Sequence, residues 1–298
     1  MTLRGEYTTV ADLRATYLKS NQVTDDVLLL DMIRAVSRDI DRLSVKRFYP
    51  RIETRYLDPP FLSAQALVDG DARGYPLPRY RELALDVGED GWLLAVTTLA
   101  NGDGTSIASS KYNLVPKNST PYYAIKLKQA ADVSWEPDSD GNYEQVIALT
   151  GVWGYHNDYA HAWEDTLGTV QNATEITAGG TSLLVQTGKV KAGYLLKIGT
   201  EYLYVSALTV AATDTATVVR GVNGSTAAAH ANGTAISRWA VSAELELLCR
   251  QAAAATYKLR DNPSGETVSI DGNSFHTPRD VRPWLQKQLD ALGLVSRI

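Results

Sequence analysis

The spacing of apolar residues changes twice along this chain, and no other feature of the sequence limits the possible folds as strongly. Residues 29–43 carry apolar side chains at intervals of three and four, the spacing of one face of an α-helix. From residue 51 onward, apolar and polar side chains alternate, which is typical of β-strands with one buried face. Helical spacing returns at Ser242. The sequence therefore predicts an α+β fold with helices at both ends and strands between them.

Four segments can be separated by this spacing and by composition. Residues 1–62 hold the N-terminal helices, residues 63–167 form a β-rich section, and residues 241–298 hold the C-terminal helices. Residues 168–240 contain few charged side chains and many Thr, Ala, Gly and Val, which predicts a separately packed all-β insert domain. We expect the N- and C-terminal helices to form a helical bundle, because the small side chains of 252–255 allow a second helix to approach closely.

The length and the cysteine content indicate an ordinary globular protein. A chain of 298 residues can bury a large core without disulfides or metals. Its single cysteine, Cys249, lies in an apolar helical pattern, where we expect a buried and reduced thiol. No window reaches the roughly 18 consecutive apolar residues of a membrane span, and the first residues do not read as a signal peptide. We therefore expect a soluble protein that is made in a cytoplasm and has no membrane partner.

The charge is distributed unevenly. Residues 63–167 hold 7 Lys and Arg against 15 Asp and Glu, whereas the rest of the chain is nearly balanced. Binding to a nucleic-acid backbone requires clustered Lys and Arg. The acidic section therefore argues against a grip on nucleic acid, although it does not exclude a position beside it.

The sequence contains no strong pattern for catalysis or metal binding. His156 and His161 are five residues apart, so neither a helix nor a strand would place them on one face. A loop could still join them to Asp158 as a metal site, but this is the less favoured interpretation. A calcium loop that started at Asp138 would have Leu149 in its twelfth position, so we expect a plain turn there. Sequence patterns of serine hydrolases, phosphate-binding loops and zinc proteases are absent. We predict no catalytic residue, no metal, no cofactor and no enzymatic activity.

Two short stretches have the composition of contact surfaces. Residues 148–163 combine aromatic rings with polar tips, which is typical of subunit interfaces. Residues 46–51 combine cations with aromatic rings and could contact phosphate or a partner's carboxylates, but cations also gather at helix C-termini because the helix dipole favours them there. The candidate subunit or partner contacts are Trp153, Tyr155, His156, Tyr159, Trp163, Arg47, Phe48, Tyr49 and Arg51.

An ordered series of segments resembles the head-tail connector (adaptor, neck) proteins of tailed bacteriophages. The series is DRLSVKRFYPRIETRYLD, LLAVTTLANGDGTSI, PYYAIKL and LTGVWGYHNDYAHAW, followed by a closing helix. It covers most of residues 7–165 and 242–298, and the all-β insert falls between its last two members. Within the insert, GYLLKIGTEYLYVSAL and VVRGVNGSTAAAHANGTAI are similar to a small β-module of other phage structural proteins.

The resemblance implies a structural virion protein without catalytic residues. Such a protein forms a homo-oligomeric ring, a dodecamer of about twelve copies, whose heterologous interfaces must close. The ring lies in the neck under the portal protein, extends the channel for DNA ejection, and presents a platform to the tail or to a stopper or tail-completion protein. It would assemble in the host cytoplasm, and DNA would pass through it without sequence-specific binding.

Two further expectations and one alternative accompany this interpretation. The excess of acidic side chains in residues 63–167 suggests that part of this section faces the channel, where repulsion would let the DNA duplex slide. The last helix is predicted to begin at Pro283, since proline is tolerated in a first turn, and Trp284 and Leu285 would bind the portal. The alternative is a tail-tip or baseplate protein that contacts the host surface, because a minimal adaptor lacks an insert of this size. Trimers or hexamers would favour that alternative.

Overall fold

The computed structural model describes residues 5–18, 25–60, 84–87, 92–259, 267–270, 273–276 and 281–295. The chain forms two compact units. One comprises residues 50–159, and we call it the central unit; the other comprises residues 1–49 and 160–298, and we call it the outer unit. The barrel described below lies in the same unit as the helices.

Two small antiparallel sheets form the central unit. The first has the order β1–β6–β3, and the second has the order β2–β5–β4. Both sheets contribute to one apolar core. The strands are β1 (Arg51–Leu57), β2 (Ala84–Asp86), β3 (Leu93–Ala100), β4 (Tyr112–Val115), β5 (Ala124–Leu127) and β6 (Ile147–Trp153).

Strand β6 is the centre of the first sheet, and its sequence fits that position. Ile147, Leu149 and Trp153 point into the core, as the alternation of the stretch predicts. Gly151 is required by close packing, because a Cβ atom there would lie 2.3 Å from the carbonyl oxygen of Ala95 on β3. The pairing is antiparallel on both sides, with Trp153 opposite both Arg51 and Leu93.

The strands of the outer unit form a six-stranded sheet in the order β7–β14–β10–β11–β12–β9. Its two outer strands meet, because Val170 pairs with Val185 and the amide of Gln171 donates to the carbonyl of Leu184 at 2.8 Å. The sheet is thus rolled into a small barrel with an apolar interior. The strands are β7 (Trp163–Thr169), β8 (Glu175–Ile176), β9 (Ser182–Gln186), β10 (Leu195–Ile198), β11 (Glu201–Thr209), β12 (Thr213–Val219), β13 (His230–Ala231) and β14 (Ala235–Trp239).

A buried ion cluster fastens one end of the barrel. Glu201 accepts two hydrogen bonds from Arg220, at 2.8 and 2.7 Å, and its Oε2 atom lies 2.8 Å from Nε2 of His230. The amides of Gly221 and Ala228 also donate to this carboxylate. Although burial opposes the charge, these donors outweigh it and lower the pKa of Glu201 to about 2. The cluster therefore holds the loop 220–230 against β11.

The outer unit also contains the helices α1 (Val10–Leu13), α2 (Asp26–Ser44), α3 (Ala243–Leu259) and α4 (Val281–Ala291), and a two-stranded ribbon of β15 (Thr267–Ile270) and β16 (Asn273–His276). The apolar stripe predicted for α2 is confirmed, because Leu29, Ile33 and Ile40 are buried. The inward face predicted for α3 is also confirmed, and it includes Cys249, whose thiol pKa burial raises to about 12. No helix in the described parts of the chain is both long and apolar enough to cross a membrane.

The prediction that the terminal helices form a helical bundle is wrong. Strands dominate the regular structure of the described residues, and the few helices are short, although α2, α3 and α4 contact one another. The barrel is also attached to these elements, since Lys191 pairs with Asp12 at 2.6 Å and the indole of Trp239 donates to the carbonyl of Phe48 at 2.9 Å. An amphipathic stripe shows that one side of a helix is buried, but it does not show what covers that side.

The beginning of α4 also differs from the expectation. The helix starts at Val281, two residues before Pro283. Proline fits there because the amides of a first turn have no partner within the helix.

A short segment without regular secondary structure, Gly5–Thr9, is buried within the outer unit. Glu6 accepts hydrogen bonds from Arg34 of α2 at 2.7 Å and from Tyr204 of β11 at 2.8 Å. The amide of Tyr7 donates to Ser37, also on α2. The segment therefore ties α2 to the barrel through side chains that are separated by more than 160 positions.

Candidate interaction surfaces

The aromatic stretch 148–163 is divided between core and surface. Trp153 is only 1% exposed and belongs to the core of the central unit. Its indole donates to the carbonyl of Glu53 at 3.0 Å, and the guanidinium of Arg55 lies 3.8 Å from the ring centroid. The accessible surface of the unit therefore does not include Trp153, although the sequence made it a contact candidate.

The residues after Trp153 form an ordered loop. Tyr155 is half-buried, its ring packs edge-on against Trp92 at 5.1 Å, and burial raises its pKa. His156 is buried, and its Nδ1 atom accepts a hydrogen bond from the amide of Asp158 at 3.0 Å. The half-buried Tyr159 donates its amide to Thr120 at 3.1 Å. Tyr155 and Tyr159 are thus the two candidates of this loop with accessible rings.

Trp163 belongs to the outer unit, apart from the other four aromatic candidates. It is half-buried, and its ring lies 5.1 Å from that of Trp239 and 5.0 Å from that of Tyr202. The ammonium of Lys197 lies 5.4 Å from its centroid. The sequence analysis grouped Trp163 with the other candidates of residues 148–163 by composition, but the fold assigns it to a different unit.

The cluster 46–51 does not form a continuous basic patch. Phe48 and Tyr49 are buried against Tyr7, and burial raises the pKa of Tyr49 well above its usual range. Lys46 is also buried and donates to the carbonyl of Leu294 at 2.9 Å, and burial lowers its pKa. Within this cluster, only Arg47 is exposed. Arg51 lies on β1 in the central unit, 3.4 Å from Glu53.

The two portal-binding candidates differ in exposure. Leu285 is buried where α4 contacts α2 and α3, while Trp284 is half-buried. Only the Trp284 ring offers accessible area for a partner. Among the described residues, no three His, Cys, Asp or Glu side chains could hold a metal ion together.

An open groove between β3 and β4, of about 530 Å³, was not anticipated from the sequence. Two backbone hydrogen bonds join β3 to the neighbouring loops, from the amide of Tyr122 to the carbonyl of Leu93 at 2.7 Å and from the amide of Ile107 to the carbonyl of Leu99 at 2.8 Å. Its lining combines residues that are up to 65 positions apart, so no local pattern could reveal it. The lining residues are Leu94, Ala95, Val96, Ser109, Tyr112, Asn113, Leu114, Lys117, Tyr122 and Tyr159.

The floor of the groove is apolar and its rim is polar. Val96, Leu114 and Tyr122 pack on the core with part of their surface uncovered. Asn113 and Lys117 are exposed, and Lys117 is the one charged side chain in the lining. Strand β4 is an edge strand, so alternate backbone groups of Tyr112–Val115 point away from β5. The groove can therefore accept an apolar side chain together with a neighbouring acidic or hydrogen-bonding group.

Leu167 is displayed on a bulge of β7. The pairing with β14 jumps from Gly168 opposite Ile236 to Asp165 opposite Ser237, which leaves two residues of β7 outside the ladder. Leu167 has a positive φ of 56°, a strained conformation for a branched residue, and is 74% exposed. Its amide donates to Oδ1 of Asp165 at 2.8 Å, which fixes the bulge.

Leu167→Gly should leave the fold intact and raise its stability by up to about 1 kcal/mol, because glycine removes the left-handed strain and little buried area is lost. Val210→Gly is the matched control, since Val210 is 71% exposed and has no positive φ. The control should lose about 0.5–1 kcal/mol. Urea unfolding of both variants measures the difference, and a clear loss of stability in Leu167→Gly would contradict the interpretation.

The loop between β5 and β6, residues 128–146, is acidic, and we call it the acidic loop. It lies at the end of the central unit where β1 and β3 end and β6 begins. Asp138 forms the plain turn that the sequence predicted, since its Oδ1 atom accepts the amides of Asp140 and Asn142 at 3.0 and 2.8 Å. The amide of Gln145 donates to Asp58, which is also exposed. The exposed carboxylates at this end are those of Asp58, Asp103, Asp132, Asp140 and Glu144.

Comparison of the chain with protein-family models, with curated proteins and with solved structures gives no match.

Proposed function

We propose that this chain is a structural virion protein of a tailed phage, an adaptor whose ring of about twelve copies joins the portal to the tail or stopper. The first support is the ordered series of segments that resembles head-tail connectors. In this proposal the chain catalyses no reaction and needs no cofactor. Its partners are the portal, a stopper or tail-completion protein, and further copies of itself in the neck of the virion.

The structural observation that carries the proposal is the display of large apolar side chains on both units. Val27 on α2, Leu167 on β7 and Val210 after β11 are each more than 70% exposed. Tyr56 and Tyr123 are more than half exposed on the central unit. Exposed apolar residues on both units offer possible contact points, and each member of a ring needs two different patches.

The acidic loop supports a position beside DNA without binding to it. Between Lys128 and Lys189 the sequence contains nine Asp and Glu and no Lys or Arg. A duplex with its phosphates is repelled by such a surface and can slide past it. In the proposal, the acidic end of the central unit faces the channel.

The first experiment is to mix the purified protein with the portal of the same virus and to average electron-microscope images of the complex that co-elutes. A collar of about twelve densities below the portal is the expected result. Free trimers or hexamers without portal binding would contradict the adaptor and favour the tail-tip or baseplate alternative. A monomer in isolation would not decide between them, since rings can assemble on a template.

Trp284→Ala should weaken the co-elution with portal, because Trp284 has the accessible ring on α4. Deletion of residues 284–298 is a poorer test, because it would also remove the buried side chains Leu285 and Leu289. Lys287→Ala, one turn further along the same helix, is the control. Equal binding of both variants and the wild type would remove α4 from the proposed portal contact.

The double variant Asp140→Lys, Glu144→Lys should slow DNA ejection or impair DNA retention, since it replaces repulsion by attraction. Both side chains are exposed, and neither holds the turn as Asp138 does. Glu175→Lys, an exposed acid of the barrel, is the control. Normal ejection by virions that carry the double variant would exclude the loop from the channel wall.

A further inference from the structure

We propose that Leu167 of one copy inserts into the groove between β3 and β4 of the next copy, with Asp165 beside Lys117 on the rim. This contact rests on the proposed ring, because it supplies the two unlike patches that a heterologous interface requires. One patch belongs to the outer unit and the other to the central unit, so the two patches share no residue.

The groove can cover an apolar side chain of a neighbouring copy. Its floor joins the core of the central unit through Val96 and Leu114. Its volume of about 530 Å³ accommodates Leu167 together with neighbouring residues of the bulge on β7.

Leu167 has the exposure and the fixed backbone that an inserted residue needs. A branched apolar residue that is exposed and held in a strained conformation persists only when the surrounding structure fixes it. Two hydrogen bonds do so, from the amide of Leu167 to Asp165 and from Oγ1 of Thr166 to the carbonyl of Ile236 at 2.6 Å. The backbone of the bulge is thus held in one conformation, which lowers the entropy cost of binding.

The charges beside Leu167 and beside the groove are complementary. Asp165 and Glu164 precede Leu167, and Lys117 is the one charged residue in the lining of the groove. Glu164 already pairs with Arg238 at 2.5 Å, so Asp165 is the carboxylate available to Lys117. Other exposed apolar residues lack one of these features. Val210 has no strained backbone, and Tyr123 lies on the same unit as the groove.

The test uses two single-cysteine additions. One sample carries Leu167→Cys, and a second sample of different mass carries Asn113→Cys on the rim of the groove. The native Cys249 is fully buried, so it does not compete for oxidation. Mixing and mild oxidation should give a disulfide-linked heterodimer, and a chain with both changes should give a ladder of multimers. Val210→Cys with Asn113→Cys is the control and should remain unlinked.

Charge reversal gives a second readout. Lys117→Asp should weaken self-association by about tenfold, and Lys117→Arg, which keeps the positive charge, should retain most of it. Leu167→Gly, which keeps the fold, should weaken it by about tenfold or more. Sedimentation or mass photometry over a concentration series measures these changes.

The outcomes separate this contact from the adaptor role. If the protein forms collars on the portal but does not cross-link, and if Leu167→Gly assembles normally, the contact is contradicted while the adaptor role is supported. Specific cross-linking without any portal binding would support the contact and contradict the adaptor. Loss of portal binding on Val96→Arg, with self-association unchanged, would show that a segment of the portal fills the groove, and would also overturn the contact.

Discussion

Replacement of Glu201 by Gln is expected to lower the free energy of unfolding of the barrel by about 3–5 kcal/mol. The carboxylate is fully buried, and Gln cannot accept the two parallel bonds of Arg220 while it also receives the amides of Gly221 and Ala228. The guanidinium of Arg220, itself only 7% exposed, would remain without its counter-charge. Loss of one partner from such a pair costs more than the pair itself contributes.

The control is Glu164→Gln in the same barrel. Glu164 also accepts two hydrogen bonds from an arginine, Arg238, at 2.9 and 2.5 Å, but its side chain is half exposed. A pair of this kind contributes about 1 kcal/mol or less because water screens it. Urea unfolding of both variants gives the comparison. Equal stability of the two variants would show that burial of the cluster does not matter.

The same cluster fixes the sign of the pH dependence. The pKa of Glu201 is lowered from 4.5 to about 2 in the folded protein, so the unfolded chain binds the proton more readily. Its contribution to stability is complete above about pH 4.5 and is lost as the pH falls towards 2. Unfolding midpoints between pH 6 and 2 should therefore decline less steeply in Glu201→Gln than in the wild type.

Trp153→Ala is expected to destabilise the central unit by about 3–5 kcal/mol, because it empties a large volume of the core. It also leaves the carbonyl of Glu53 without its indole donor and removes the ring under Arg55. Amide hydrogen exchange should rise in β1, β3 and β6, and remain close to wild type in the barrel. Tyr123→Ala, at a side chain that is 57% exposed, should change stability by less than about 0.5 kcal/mol.

This second result bears on the candidate contacts. A loss of ring assembly in Trp153→Ala would report an unfolded central unit, and would say nothing of a contact. Tyr155→Ala and Trp163→Ala are cleaner probes, because both rings keep accessible area. Protection of the central unit in Trp153→Ala equal to that of the wild type would contradict the core position.

The sequence was sufficient for features that depend on neighbours along the chain. The stripe of α2, the inward face of α3 and the turn at Asp138 each follow from spacings of two to four residues. Features that join distant positions were missed. The barrel closes through Val170 and Val185 with no local signal, and the groove combines β3 with β4. The helical bundle was a wrong inference for the same reason, since periodicity does not identify the covering element.

The candidate contacts show the same limit at the level of single residues. Trp153 and Trp163 occur in one aromatic stretch, yet only the first ends the central strand of a sheet and is enclosed on all sides. Leu167 stands in the unremarkable sequence EDTLG, and nothing in those letters indicates a bulge with a positive φ. Pairing with β14, about 70 positions later, creates that conformation.

The outer unit is built from two separate stretches of the chain, so the central unit is synthesised in full before the outer unit is. Residues 50–159 form one continuous segment and can fold as soon as they emerge. The earlier residues cannot complete their unit by then, because Glu6 and Phe48 must wait for Tyr204 and Trp239. The apolar stripe of α2 is therefore uncovered while more than a hundred further residues are translated. That stripe is covered only after the later helices α3 and α4 have been made, since both contact α2.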